Sequence, residues 1–218
     1  MNFSFYMVDS DYCDYLRKSD PCVPYTMDKK SIRPFVGIVF TVNGFQYYAP
    51  LTSPKPKHLK MKNQIDFMKI KNGEWGAINF NNMIPVSESC LKKVEMNITD
   101  TDNKSDIDYK NLLKNQLSWC NSNKEIILKQ AEKLYYTIIR GEAWENLAER
   151  CCNFSLDEKQ CQRYENGEPI IERKTNIEQK SDDDKRPSVL EKLNNAKQEA
   201  AAFKSAPKAK KPHNRDVR

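Results

Sequence analysis

Asn43-Gly44 is the most constraining feature of the chain. The runs on either side, "PFVGIVFTV" (34–42) and "FQYYAPL" (45–51), are rich in β-branched and aromatic residues. A two-residue link between such runs requires both turn residues at positive φ, and Asn-Gly meets that requirement at least steric cost. The spacing therefore predicts an antiparallel hairpin. Pro50 cannot donate to a ladder, so it predicts an edge or a bulge at the end of the second strand. Gly37 in the first strand suggests a close backbone approach.

Further short strands are expected at 3–8, 64–70 and 75–86, completing a small, strongly bent antiparallel sheet of the kind found in partly open barrels. Ser10 is placed to cap a helix over 11–19, with Tyr12, Tyr15 and Leu16 on one face. From Ser105 the period turns helical: 106–120, 123–140, 142–151 and 156–164, the last with Ser155 as N-cap and Glu158 closing a capping box. Asn153 reads as helix-entry chemistry. The fold class is α+β. A domain over 1–164 is followed by a polar linker over 165–186 and a flexible basic tail over 187–218, with one possible exposed helix behind Pro187.

Charge separates body from tail. The formal net charge is +6 over 218 residues, but residues 185–218 hold 10 Lys+Arg against 3 Asp+Glu, leaving 26 against 27 for residues 1–184. Any positive surface on the body must come from clustering. Clustering occurs at Lys55, Lys57, Lys60 and Lys62, with Lys29, Lys30 and Arg33 upstream. Seven cysteines without a CxxC spacing, and two histidines of which one is in the tail, argue against a zinc site. The first residues lack a basic stretch and a long apolar run, and nothing approaches the ~18 apolar residues of a membrane span. A reduced, cytoplasmic protein is expected.

The second hairpin strand runs into "TSPKPKH" (52–58). Two hydroxyls, two stiffening prolines, two lysines and His58, a group that titrates near neutrality, form a set suited to a phosphodiester. Lysines neutralise non-bridging oxygens and hydroxyls hydrogen-bond them. On RNA the same set could serve cleavage, because the ribose 2′-OH is an internal nucleophile and needs only alignment and charge stabilisation. No carboxylate cluster is spaced for Mg²⁺, so neither metal nor other cofactor is expected. Each feature also has a plainer meaning. A lysine-rich loop is commonly a solvated one, Thr-Ser-Pro is a common turn entry, and a lone histidine there is commonly surface. Of Tyr47 and Tyr48, on opposite faces of a strand, one is core and the other a candidate platform for a stacked base.

The stretch "FVGIVFTVNGFQYYAPLTSPKPKH" (35–58) resembles the signature of the ToxN/AbiQ family of endoribonuclease toxins from type III toxin–antitoxin and phage abortive-infection systems. "YLRK" (15–18), "GAINFNNMIPV" (76–86) and "CNFSLDEKQ" (152–160) match in the same order. The resemblance covers roughly residues 3–164. It implies a twisted sheet wrapped by helices, distantly like the MazF/Kid barrel. It also implies metal-independent, sequence-selective cleavage of cellular or phage mRNA to 2′,3′-cyclic phosphate and 5′-hydroxyl ends. The implied partner is a small repeat RNA antitoxin, folded as a pseudoknot, which the toxin cuts and holds in a closed toxin–RNA hetero-oligomer. Carried over by position, Ser53, Thr52, Lys55 and Arg33 form the catalytic set, with His58 as an acid or base. Lys57, Lys60, Lys62, Lys29, Lys30 and Tyr47 are the candidate RNA contacts. The alternatives are a non-catalytic RNA-binding regulator and a protein-interaction domain working through its tail.

Overall fold

The computed structural model describes residues 2–25, 27–28, 31–32 and 34–170. Lys29, Lys30 and Arg33 lie outside the described residues, as do 171–218, which carry most of the expected linker and all of the basic tail.

Strand β1 (Phe5–Val8) leads into α1 (Ser10–Arg17). The short pair β2 (Met27–Asp28) and β3 (Ser31–Ile32) precedes the central hairpin of β4 (Phe35–Val42) and β5 (Phe45–Thr52). A short helix, α2 (Pro56–Lys60), then leads to β6 (Phe67–Lys69), β7 (Ala77–Asn79), β8 (Ile84–Pro85) and β9 (Leu91–Lys93). Four helices close the chain: α3 (Lys104–Ser122), α4 (Lys124–Ile139), α5 (Glu145–Arg150) and α6 (Phe154–Glu165).

The hairpin forms as the Asn-Gly pair predicts. Asn43 and Gly44 have φ of 52° and 84°, and Val42 pairs Phe45 across the turn. The main sheet runs β6-β7-β5-β4-β1-β9, with β8 also on β5, and every pairing is antiparallel. It is an open sheet with β6 and β9 at its edges.

Pro50 is not at an edge, because β5 has partners on both sides. Its outer side pairs with β8 at Tyr47–Tyr48 and with β7 at Leu51–Thr52, and Pro50 falls between the two. Leu51 N donates to Pro34 O at 2.9 Å, so by alternation the missing N–H of Pro50 faces the junction, where no ladder bond is interrupted. Gly37 lies where the β4–β5 register shifts. Its N–H donates to Ser4 O at 2.8 Å, and a Cβ there would run into the Tyr6 ring. β1 can cross this closely only over glycine.

Helices pack on the sheet: α4 lies against β4, α6 against β8, and α1 against α6. Tyr47, expected as a stacking platform for RNA, is instead fully buried among Phe40, Tyr135 and Phe154. Its hydroxyl donates to Glu158 Oε1 at 2.8 Å, and Tyr135 donates to the same oxygen at 2.7 Å. This also corrects the capping box. Asn153, not Ser155, caps α6, with its Oδ1 accepting from Leu156 N at 3.2 Å, so the helix starts two residues early and Glu158 turns inward. Likewise Asp9, not Ser10, caps α1. No disulfide joins any two of the seven cysteines, and burial pushes the Cys120 and Cys151 thiols up to about 12. Among the described residues no helix is long and apolar enough to cross a membrane.

Candidate active site at the end of the central hairpin

The sequence reads 52–58 as one loop, but the structure folds its second half. Lys55 is extended (φ −139°, ψ 144°) and Pro56 opens α2, where a missing N–H costs nothing and a fixed φ suits the first turn. His58 N donates to Lys55 O at 2.9 Å and Met61 N to Lys57 O at 3.1 Å. The alternation of Pro and Lys masked this turn, because it reads as solvated loop.

The segment rests on the β6–β7 connection. Gly76 (φ +91°) lies directly beneath Thr52. An added Cβ would overlap the Thr52 carbonyl oxygen and come within 3.2 Å of the carbonyl carbons of Thr52 and Ser53. Gly73 (φ +98°) lies beneath α2, where a Cβ would fall 2.7 Å from the His58 carbonyl. Two glycines in a positive-φ turn thus let one backbone seat another, a position for the hydroxyls that no side chain provides. The Thr52 hydroxyl donates to Ser53 O at 3.1 Å, while Ser53, Lys55 and Lys57 are exposed.

A cleft of about 650 Å³ opens here. Five of the sequence-predicted residues line it: Thr52, Ser53, Lys55, Lys57 and His58. Lys60 and Lys62 are exposed but are not part of its lining, Tyr47 is in the core, and Arg33, Lys29 and Lys30 lie outside the described residues.

His58 is not the surface histidine expected of a charged loop. It is 2 % exposed, with its ring 5.7 Å from that of Phe67. Burial, followed by the charges of Lys57 and Lys55, lowers its pKa below the usual imidazole value. A histidine whose folded pKa lies below its unfolded one takes up a proton less readily when folded, so its contribution to stability is present above about pH 6.5 and lost as pH falls below it. The unfolding free energy of the wild type relative to His58→Gln should therefore decline between pH 7 and 5. A difference that is flat across that interval, by chemical denaturation, would remove His58 from the acid limb.

The sequence reading missed the other wall. Asp66, 5 % exposed, accepts from Arg150 Nε at 2.7 Å, and Arg150 also reaches Gln64 Oε1 at 3.3 Å. Asn81 Nδ2 donates to Arg150 O at 3.1 Å and Asn82 Nδ2 to Cys22 O at 2.8 Å. Gln116 of α3 donates from Nε2 to Trp75 O at 2.6 Å. Gln64, Asp66, Asn81, Asn82, Gln116 and Arg150 all line the cleft. The asparagines stand inside "GAINFNNMIPV", where a polar run between two strands is a signal that could have been read. The pairing of Asp66 with Arg150, 84 residues apart, has no local signal. Among the described residues, Asp20, Cys152 and Asp157 bring possible metal-ligand atoms within 4.8 Å of one another. All three are buried, none lines the cleft, and both Asp20 oxygens accept backbone N–H groups, of Cys22 and Asn153.

An open antiparallel sheet covered by helices, with hydroxyls and cations around a cleft at the end of its central hairpin, defines an α+β protein with an oxygen- and cation-lined site. The chain belongs to the family described as toxin ToxN of type III toxin–antitoxin systems, whose sequence profile matches residues 4–162. It is 30 % identical over 176 residues to Endoribonuclease ToxN of Bacillus thuringiensis subsp. kurstaki, covering 79 % of this chain and 89 % of that one. It is 33 % identical over 163 residues to Endoribonuclease ToxN of Pectobacterium atrosepticum, covering 71 % and 90 %. A solved structure concerned with selective toxin inhibition by a non-coding RNA pseudoknot matches with a TM-score of 0.62 at 28 % identity, over 76 % of this chain and 99 % of that one.

Proposed function

We propose that this chain is a type III toxin that cleaves RNA endonucleolytically in the cleft at residues 52–58, using the ribose 2′-OH as nucleophile and no metal. The observation that carries the reading is the seating of Thr52, Ser53, Lys55 and Lys57 along one cleft in a chain whose relatives are named endoribonucleases. A bond forms between the 2′-oxygen and phosphorus, and the bond from phosphorus to the 5′-oxygen breaks. The ends are a 2′,3′-cyclic phosphate and a 5′-hydroxyl. The exposed Ser53 hydroxyl donates its one proton in a hydrogen bond to the scissile phosphate, and water takes up the 2′-OH proton. Lys55 neutralises the developing charge and supplies a proton to the departing 5′-oxygen, with Arg33 as a second cation. Preorganised donors of this kind are the usual large contribution where positioning and charge dominate. His58, buried beneath the loop, supports it rather than exchanging protons with substrate. Lys57, Lys60 and Lys62 track the backbone and make binding salt-dependent.

A small repeat RNA folded as a pseudoknot is the inhibitor under this reading. The toxin processes it, keeps each unit bound and closes with it into a cytoplasmic hetero-oligomer. The test is pure protein and RNA in excess EDTA with end-group analysis. Cyclic phosphate and 5′-hydroxyl ends are expected. Intact RNA that nevertheless binds would leave a non-catalytic RNA-binding protein.

A further inference from the structure

Resting on the reading of this cleft as an RNA site, we propose that Asp66 and Gln116 form a base-selecting subsite within it. Its ligand is a nucleobase that presents at least two N–H groups on one edge, the property of bases bearing an exocyclic amine and not of uracil.

Both residues line the cleft alongside Thr52 and Ser53, and both are more than nine-tenths buried. In each, one polar atom is fixed by the protein: Asp66 Oδ2 accepts from Arg150 Nε, and Gln116 Nε2 donates to Trp75 O. The other atom, Asp66 Oδ1 or Gln116 Oε1, is buried with no hydrogen-bond partner among the described residues. Both are acceptors whose orientation the fixed atom determines. A buried acceptor left unmatched is costly, so a ligand that brings a donor to each is favoured over one that does not. A phosphate brings none and is repelled by Asp66. A ribose hydroxyl brings one. Adenine and cytosine bring two through an exocyclic NH₂, guanine brings N1–H and N2–H₂, and uracil brings N3–H alone. The cleft thus divides its work: lysines and hydroxyls hold the backbone, which carries no sequence information, and the two acceptors read a base edge.

Asp66→Asn is the informative substitution. Arg150 Nε still requires an acceptor, so the amide oxygen takes the place of Oδ2 and the NH₂ takes the place of Oδ1. An acceptor becomes a donor at nearly constant shape. The measurement is kcat/KM on otherwise identical oligoribonucleotides in which each base around the cleavage position is changed in turn to uracil. For the wild type, uracil at one position should cost roughly tenfold or more. In Asp66→Asn that preference should shift at least about tenfold toward uracil. Gln116→Met should weaken the preference without reversing it, and thermal melts report whether each variant folds. The proposal is overturned if uracil costs the wild type less than about threefold at every position, or if the preference passes unchanged through a folded variant of either residue. Should the wild type cut no RNA, the nuclease reading fails. The subsite is then decided by equilibrium binding of the same oligonucleotides, with equal affinity across the set counting against it.

Discussion

Ser53→Ala should abolish toxicity and lower the RNA cleavage rate by roughly 10²–10³-fold, the usual consequence of removing one donor aimed at developing charge. Its affinity for RNA should fall by only about tenfold, because an exposed hydroxyl–phosphate hydrogen bond lies at the low end of the roughly 1.5–3 kcal/mol of bonds to charged groups and the lysine contacts to the backbone remain. The separation of the two effects is the point. Ser53 is exposed, so replacing it is expected to alter folding stability by no more than about 0.5 kcal/mol, and an inactive protein would not be an unfolded one. Thr52 provides the comparison within the same loop. Its hydroxyl proton is already given to Ser53 O at 3.1 Å, so it can accept but has no second proton to offer the phosphate. Thr52→Ala should therefore cost less than Ser53→Ala. Single-turnover cleavage with matched binding isotherms checks both. Cleavage by Ser53→Ala within threefold of wild type would remove that hydroxyl from the mechanism.

Local chemistry was readable in the sequence, whereas features settled by distant partners were not. The Asn43-Gly44 turn is a two-residue requirement, and β4 and β5 follow from it. The helices after residue 104 follow from their period. Cap positions at α1 and α6 moved by one and two residues because an equally good cap stands earlier in each case: Asp9 accepts from Asp11 N and Tyr12 N, and Asn153 from Leu156 N. Tyr47 was misplaced for a deeper reason. Strand alternation shows that Tyr47 and Tyr48 face opposite ways, but cannot show that helices cover one face and strand neighbours the other, leaving both buried. For the site, the hydroxyl-lysine run announced one wall of the cleft. Asp66, Arg150 and Gln116 come from segments whose meeting depends on the whole fold. The glycines beneath the loop look like ordinary turn residues until the loop they carry is seen.

The seat itself makes the sharpest demand on the chain. In Gly76→Ala the new methyl would overlap the Thr52 carbonyl oxygen, and that obstacle is backbone, which cannot rotate aside as a flexible side chain can. Either β7 withdraws from β5, disturbing the Thr52–Ala77 and Leu51–Ile78 pairs, or residues 52–53 lift from the turn. Both routes shift Ser53, and a displacement on the order of 1 Å at a positioned group can cost about 10²-fold in rate. A second cost is conformational: alanine at φ +91° is unfavourable by about 1–2 kcal/mol wherever it occurs. Gly141→Ala separates the two. It also sits at positive φ (+68°) but has nothing within 4 Å of its Cβ position, so it carries only the conformational cost. Gly141→Ala should thus lose about 1 kcal/mol of stability and keep its cleavage rate. Gly76→Ala should lose more stability and at least about 10²-fold in rate. Equal activity in the two proteins would mean that the position of Thr52 and Ser53 relative to the sheet does not govern the chemistry, and the site would have to be sought elsewhere along the cleft.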